Sequence, residues 1–254
     1  MDKSKKNISY YNKGFLVIIL FLLIWECVVR LNWINDLVLP LPSKIFYEGG
    51  NLLSNSKFYS NFFSTLTNWS VSFVIGMFLG LAIGFISGLN SKFEQLILPI
   101  TAFFRSVPPI ALFPVFLILI GPGKLPIIVA GILGVIIYVF PIAHQSAETI
   151  KNKYQDLGHI LKLSKYDFIK KIILPGTLIN SFVSSRIAAS YLFAVCIGGE
   201  IIIGGRKGIG AAILEYSEKY QLEEAYFYIL IAGLLGLTLD LVISKFQNSF
   251  SLKQ

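Results

Sequence analysis

The residues best placed to do chemistry in this chain are ionisable groups set in apolar surroundings. Arg105 stands in "TAFFRSVPPIALFPVF", Arg186 in "INSFVSSRIAASYLF" and Glu200 in "AVCIGGEIII". Glu26 and Asp240 lie nearer the ends of their own apolar runs, close enough to a membrane interface to snorkel. A charge at the centre of a bilayer costs about 2.5–3.5 kcal/mol even on the lenient insertion scale, so such groups line a pathway or hold a partner. Arg105, with Pro108 and Pro109 beside it, is the first pathway candidate, and a cation there suits an anionic solute. Arg186 and Glu200 are further pathway candidates. The competing reading for Arg105 is a structural pair with Glu200 or a backbone carbonyl.

Other chemistries lack their residues. "GFISG" (84–88) is not a G-x-S-G nucleophile motif, neither His144 nor His159 falls mid-span, and H-E-x-x-H is absent. "GPGKL" (121–125) has Leu125 where a phosphate-binding loop needs Ser or Thr for Mg²⁺, and "GGRKGIGAAI" (204–213) contains no G-x-G-x-x-G. Cys27 and Cys196 are far apart with no CxxC, and the two histidines have no ligand partner at metal-site spacing, so no metal set is expected. The chain has no catalytic residues of its own and binds no cofactor.

The elements that would position these groups are membrane helices. Of 254 residues 55% are hydrophobic and only 14% charged, against about 25% in an average soluble domain. Mean hydropathy is +0.70. The net charge of +8 is spread along loops without an aromatic-interleaved patch, which excludes nucleic acid as a partner. The expected class is an all-α integral membrane protein with six transmembrane helices, each needing about 20 apolar residues.

The leader, residues 1–13, carries Lys3, Lys5, Lys6 and Lys13. An anchor helix (14–34) follows, retained because no small-residue cleavage site succeeds it. An external segment (35–64) is broken by Pro40 and Pro42, with Ser43 as candidate cap of a short helix. The five-helix core (65–245) opens with a span near 65–89 in which Gly76, Gly80, Gly84 and Gly88 form a strip for close helix approach. The third span holds Pro99, Pro108, Pro109 and Pro114, too many for one straight helix. Broken backbone at membrane depth must be buried in protein or line a cavity. The core also contains a loop, 144–178, and the chain ends in a tail, 246–254. One face of this topology carries 13 Lys and Arg against 7 on the other, so both termini and the 144–178 loop are expected in the cytoplasm.

That loop contains "NKYQDLGHILKLSKYDFIKKIILPGTL" (152–178). Leu157, Ile160 and Leu161 sit at helical spacing, as do Tyr166, Ile169 and Ile173. Ser164-Lys165-Tyr166-Asp167 has the form of a capping box. A short helix ending near Leu163 and a second from Ser164, stopped by Pro175-Gly176, are expected. The first is too short to stand alone in water and needs a surface to dock on, either the membrane or a cytoplasmic partner.

The same stretch resembles the cytoplasmic loop of binding-protein-dependent ABC importer permeases, with its pattern E-A-A-x3-G-x9-I-x-L-P. Asp156 takes the Glu position, Leu157 and Gly158 the two Ala, Ile172 the Ile, and Leu174-Pro175 the end. Lys162 departs from the pattern's Gly, so the break after the docking helix is expected elsewhere, at Ser164. "LPLPSKIFYEGGNLL", "RSVPPIALFPVFLILIGPGKLPIIV", "GGEIIIGGRKGIGAAI" and "AGLLGLTLD" resemble, in the right order, segments of the nitrate/sulfonate/taurine branch of that family.

The resemblance implies a permease subunit in a bacterial cytoplasmic (inner or plasma) membrane, working as a dimer, with homodimer the simpler case. Its partners would be two copies of an ABC ATPase subunit, which use the ATP and Mg, and an extracytoplasmic solute-binding protein. The 144–178 loop would carry a short cytoplasmic coupling helix between helices 4 and 5, with Asp156, Leu157, Gly158, Ile160, Leu161, Lys162, Ser164 and Lys165 as the coupling residues. Leu157, Ile160 and Leu161 would be the apolar plug in the ATPase groove, with Lys162 and Lys165 at its rim. The solute would be small and anionic or zwitterionic, such as nitrate, a sulfonate or taurine. A secondary transporter or channel would explain the broken third span but not the docking loop, and no inverted repeat is evident.

Overall fold

The computed structural model describes residues 3–203 and 207–251, with side chains described for 16–203 and 207–247. Its described elements are all helical. They are α1 (Lys3–Arg30), α2 (Pro42–Leu53), α3 (Ser56–Leu89), α4 (Ser91–Ser106), a 3₁₀ turn (Pro109–Leu112) and α5 (Phe113–Ile120). There follow α6 (Lys124–Ile160), α7 (Lys165–Phe168), a π turn (Ile169–Ile173), α8 (Leu174–Ile203), α9 (Ile209–Glu218) and α10 (Leu222–Ser251).

Four helical runs are long and apolar enough to cross a bilayer: Ser56–Leu89, Lys124–Ile160, Lys165–Ile203 and Leu222–Gln247. The pair Ser91–Ser106 and Pro109–Ile120, bent by 90°, makes a fifth when taken as one span. Of the anchor expected at 14–34, residues 14–30 fall in α1 and 31–34 in the turn after it, and the leader 1–13 lies outside the residues whose side chains are described. The chain divides into two units, Met1–Tyr59 with Ala212–Ile231 and Ser60–Ala211 with Ala232–Gln254.

In the first unit α2 begins at Pro42, whose missing N–H and fixed φ suit a first helical position. Ser43 is not its cap, which corrects the expectation from sequence. Leu41 occupies the cap position without a side-chain bond, and a carboxylate from α1 does the work. Glu26 accepts from the Ser43 N–H at 3.0 Å and from its hydroxyl at 2.8 Å, and pairs with Arg30 at 2.6 Å. An acid at a helix N-terminus satisfies an orphan donor and complements the helix dipole. Elsewhere in this unit Lys219 and Lys57 both bind Glu215, at 2.6 and 2.8 Å, and hold its carboxyl below the usual range.

The second unit is organised by the glycine strip of α3. A Cβ on Gly76 would lie 2.6 Å from the Val135 Cβ, on Gly80 2.9 Å from that of Val139, and on Gly84 2.7 Å from that of Ala143. On Gly88 it would lie 2.8 Å from that of Ala147. Four glycines at a four-residue interval thus receive four α6 side chains at the same interval, and the Ser72 hydroxyl of α3 donates to the Ile128 carbonyl of α6 at 3.2 Å. Beside this seam Phe113, Val135, Val139, Leu192 and Val195 are fully buried in one core. A Gly84→Leu substitution should overpack the seam against the Phe140 carbonyl, which a Cβ there would approach to 2.6 Å. A loss of about 1–3 kcal/mol is expected, read as a lowered thermal midpoint in detergent. Gly233→Leu, where an added side chain meets open space, should leave that midpoint in place.

Candidate functional site

The third span breaks where its prolines require. A residue before proline is pushed out of the helical region into extended backbone. Val107 precedes Pro108 and Pro108 precedes Pro109, so two successive residues are extended, at φ/ψ −99°/117° and −60°/126°. Pro114 falls in the first turn of α5, where its missing N–H costs nothing, while Pro99 is accommodated inside α4. The short segment after the break packs on glycines: Phe113 fills the space at Gly199, and Ile110 lies 3.4 Å from where a Gly198 Cβ would stand. Pro109 is buried and Pro108 exposed. Arg105, at the end of α4, is exposed and forms no ion pair among the described residues.

Glu200 does not meet Arg105. It is fully buried, and both its oxygens are engaged. Thr65 donates its hydroxyl at 2.8 and 2.9 Å, Asn68 its amide at 3.2 Å and Gly210 its backbone N–H at 3.0 Å. Thr65 in turn accepts from the Ile209 N–H at 2.8 Å, and Asn61 from the Gly208 N–H at 3.2 Å. Gly208, at φ +139°, sits so close to Glu200 that a Cβ there would lie 2.6 Å from its Oε2. The carboxylate therefore ties the end of α8 to α3 and to the first turn of α9. Sequence reasoning missed its partners, although a signal existed: Asn61, Ser64, Thr65, Asn68 and Ser72, all buried, recur at one helical face of α3.

Arg186 finds its partner in Asp240 of α10. The guanidinium donates from Nε and Nη2 at 2.6 and 2.7 Å, a two-pronged bond that neutralises both charges within the spans.

The expected docking helix is not a separate element. α6 continues unbroken from Lys124 to Ile160, so Asp156, Leu157, Gly158 and Ile160 ride on the end of a 37-residue helix. The break comes at Lys162, not at Ser164. Lys162 adopts φ +50°, the left-handed conformation natural to glycine. The Leu163 N–H bonds to the Gly158 carbonyl and the Lys162 N–H to that of His159, each at 3.0 Å. This pattern is a Schellman C-cap. The position where the resembling pattern has Gly thus keeps its conformation with lysine in place.

Ser164 caps the next helix as the capping box predicts, accepting from the Asp167 N–H at 3.1 Å and donating to its carboxylate at 2.7 Å. Gly158 is buried against the Phe168 ring, which a Cβ would approach to 2.9 Å. Around this knuckle Leu157, Ile160 and Leu161 remain 43, 76 and 56% exposed, with Asp156, Lys162 and Lys165 exposed beside them.

Pro175-Gly176 does not stop the following helix, which runs on to Ile203. The proline ring would strike the carbonyl of Lys171, four residues earlier, in a regular helix. Lys171 lies in the π turn Ile169–Ile173, whose wider winding accommodates it.

A broken span, a helix-end knuckle with exposed apolar residues and an Arg186–Asp240 pair within the spans describe a multi-pass membrane protein. Residues 72–253 match the family model described as "Binding-protein-dependent transport system inner membrane component", and the chain belongs to that family. It is 23% identical over 245 residues to the protein designated aliphatic sulfonates transport permease SsuC of Bacillus subtilis, covering 94% of this chain and 88% of that one. It is 27% identical over 219 residues to the nitrate import permease protein NrtB of Leptolyngbya laminosa, covering 85% and 74%. The bicarbonate transport system permease protein CmpB of Synechococcus elongatus is 27% identical over 188 residues, covering 73% and 66%. Among solved structures, the fold is similar to a chain of the inward-facing MetNI methionine ABC transporter. The TM-score is 0.63 at 18% identity, covering 74% of this chain and 93% of that one.

Two outcomes test the local physics. Lys162→Gly should stabilise the knuckle by about 1 kcal/mol, because it removes a left-handed non-glycine residue; a raised thermal midpoint checks it. Glu200→Ala strands the buried Thr65, Asn68 and Gly210 donors and should cost at least about 2 kcal/mol. Chemical denaturation in detergent should register that loss, with Glu200→Gln, which keeps an acceptor oxygen, losing less.

Proposed function

We propose that this chain is the pathway-forming permease subunit of an ATP-driven importer for a small anionic or zwitterionic solute. It would act as a homodimer with two copies of a separate ATPase subunit and an extracytoplasmic solute-binding protein. Both termini and the Lys162 knuckle would face the cytoplasm, in keeping with the excess of Lys and Arg on that side. ATP and Mg belong to the partner, since the chain carries no phosphate-binding loop.

The observation that carries this reading is the knuckle. Three apolar side chains, Leu157, Ile160 and Leu161, project into solvent from a helix end fixed by a Schellman cap and backed by Phe168. Exposed apolar residues on a rigid, charge-rimmed projection are the anchor of an interface. On the solute side, support comes from the names of the relatives, which concern sulfonates, nitrate and bicarbonate, all small anions. The exposed Arg105 at the bend, with Pro108 and Pro109, is the candidate lining, whereas Arg186 and Glu200 act as ties within the helices.

The test is gentle purification from native membranes. A nucleotide-binding ATPase subunit should accompany the wild-type chain and be lost from Leu161→Asp, which buries a charge in the interface. A wild-type chain that emerges alone, or a Leu161→Asp variant that keeps the subunit, overturns the reading.

A further inference from the structure

One cluster lies outside everything used so far. His144, Glu148 and Glu94 bring one imidazole nitrogen and two carboxylate oxygens within 4.8 Å of one another. His144 and Glu148 are one turn apart near the polar end of α6, and Glu94 comes from the first turn of α4. We propose that these three residues form a binding site for a divalent transition-metal ion of the zinc class, bridging α4 and α6.

The distances favour a metal over a direct bond. His144 Nε2 stands 3.4 Å from Glu94 Oε1 and 3.8 Å from Glu148 Oε2. Both exceed the roughly 2.7–3.2 Å of an N–H···O hydrogen bond. Both lie near the ligand-to-ligand edge of a tetrahedral zinc site, about 3.3 Å for bonds of about 2.0–2.1 Å. A modest side-chain movement closes the remaining edge and leaves a fourth position for water.

The electrostatics point the same way. No lysine or arginine bridges either carboxylate among the described residues, although this chain carries a net charge of +8. Nδ1 of His144 is buried without a protein partner, so the proton of the neutral ring is cheaper on Nε2 and a metal ion has to displace it there. The two carboxylate oxygens facing Nε2 supply the negative charge that favours that exchange. One imidazole and two carboxylates are borderline-to-hard ligands that suit Zn²⁺ or Mn²⁺.

The frame is rigid enough to hold an ion. The imidazole stacks on Phe140, with ring centroids 5.9 Å apart and planes 17° from parallel. Asn90 caps α4 by accepting from the Lys92 and Phe93 N–H groups at 3.0 and 3.3 Å, which orients the turn bearing Glu94. The His144 backbone sits against the glycine strip, at Gly84 and Gly88. The side chains are 12, 28 and 47% exposed for His144, Glu94 and Glu148, so an ion can enter from solvent. Sequence spacing alone does not reveal this set, because Glu94 reaches His144 only through packing of α4 on α6. A bound ion would brace the helix that leads to the bend against the helix that ends in the knuckle.

The experiment uses the full-length chain without a polyhistidine tag, in lipid nanodiscs, stripped with EDTA and titrated with Zn²⁺ against a fluorescent zinc chelator. The expected result is one Zn²⁺ per chain, a raised thermal midpoint, and no comparable rise with Mg²⁺. Glu94→Gln and Glu148→Gln should each weaken Zn²⁺ binding at least tenfold. Their metal-free midpoints should equal or exceed that of the wild type, since each removes one of two facing carboxylates. Absence of saturable Zn²⁺ binding by the wild type overturns the proposal, as does binding that both variants retain within twofold.

Discussion

Hydrocarbon offers a peptide group nothing to bond with, and the architecture follows from that constraint. Every backbone donor and acceptor in a span must find its partner within protein, and only a helix does so from its own atoms. The places where this chain leaves the regular helix are correspondingly few, and each has an identifiable substitute. At Val107 and Pro108 the freed segment is short and is received by Pro109, Ile110 and Phe113 packing on glycines of α6 and α8. Before Pro175 the helix widens into a π turn instead of ending. Beyond Ile203 the Gly208 and Gly210 N–H groups are taken by Asn61 and Glu200. A charged side chain at a buried position is thus a hydrogen-bond acceptor for irregular backbone, and its burial is tolerable because four donor atoms converge on it or on its Thr65 partner.

The same constraint decides how much could be read from the sequence. The bend in the third span was legible because two successive residues before proline leave a helix no alternative. The glycine strip was legible because a four-residue period needs only helical geometry to become a groove, and α6 fills it residue for residue. The Ser164 capping box was legible because its two partners are three residues apart. What failed was the assumption that breakers act as they do in water. Pro175-Gly176 stops a helix where solvent can take the freed groups; between two packed spans, rewinding is cheaper than ending. The Lys162 break was displaced in the reading for the opposite reason, since lysine seldom adopts a positive φ and nothing in its chemistry announces one. Partners brought together by tertiary packing, such as Glu26 with Ser43 and Arg186 with Asp240, carry no local signal at all, whereas for Glu200 only the polar face of α3 gave one.

These ties give α6 a mechanical role. At 1.5 Å per residue its 37 residues extend about 55 Å as one element. Four of its side chains are keyed into the α3 glycine strip, and its far end forms the knuckle that buries Gly158 against Phe168. A keyed seam resists sliding, because each Val or Ala would have to climb out of its glycine notch to move by one turn. Under the proposed function, a push at Leu161 would therefore move α3 and α6 together instead of sliding one along the other.

The compliant part is then the segment that shares least of this framework. Residues 107–112 have neither an α-helical ladder nor a side-chain cap, and α4 beyond them has no fully buried residue. Arg105 stands at that joint, exposed and without an ion-pair partner among the described residues, while Glu200, Arg186 and Asp240 are bound to fixed neighbours. A structure that ties down Glu200, Arg186 and Asp240 and leaves Arg105 unpaired among the described residues, beside backbone without an α-helical ladder, separates two groups of charges. The paired charges keep the helices in register, and under the proposed function Arg105 would meet the solute at the joint between α4 and α5.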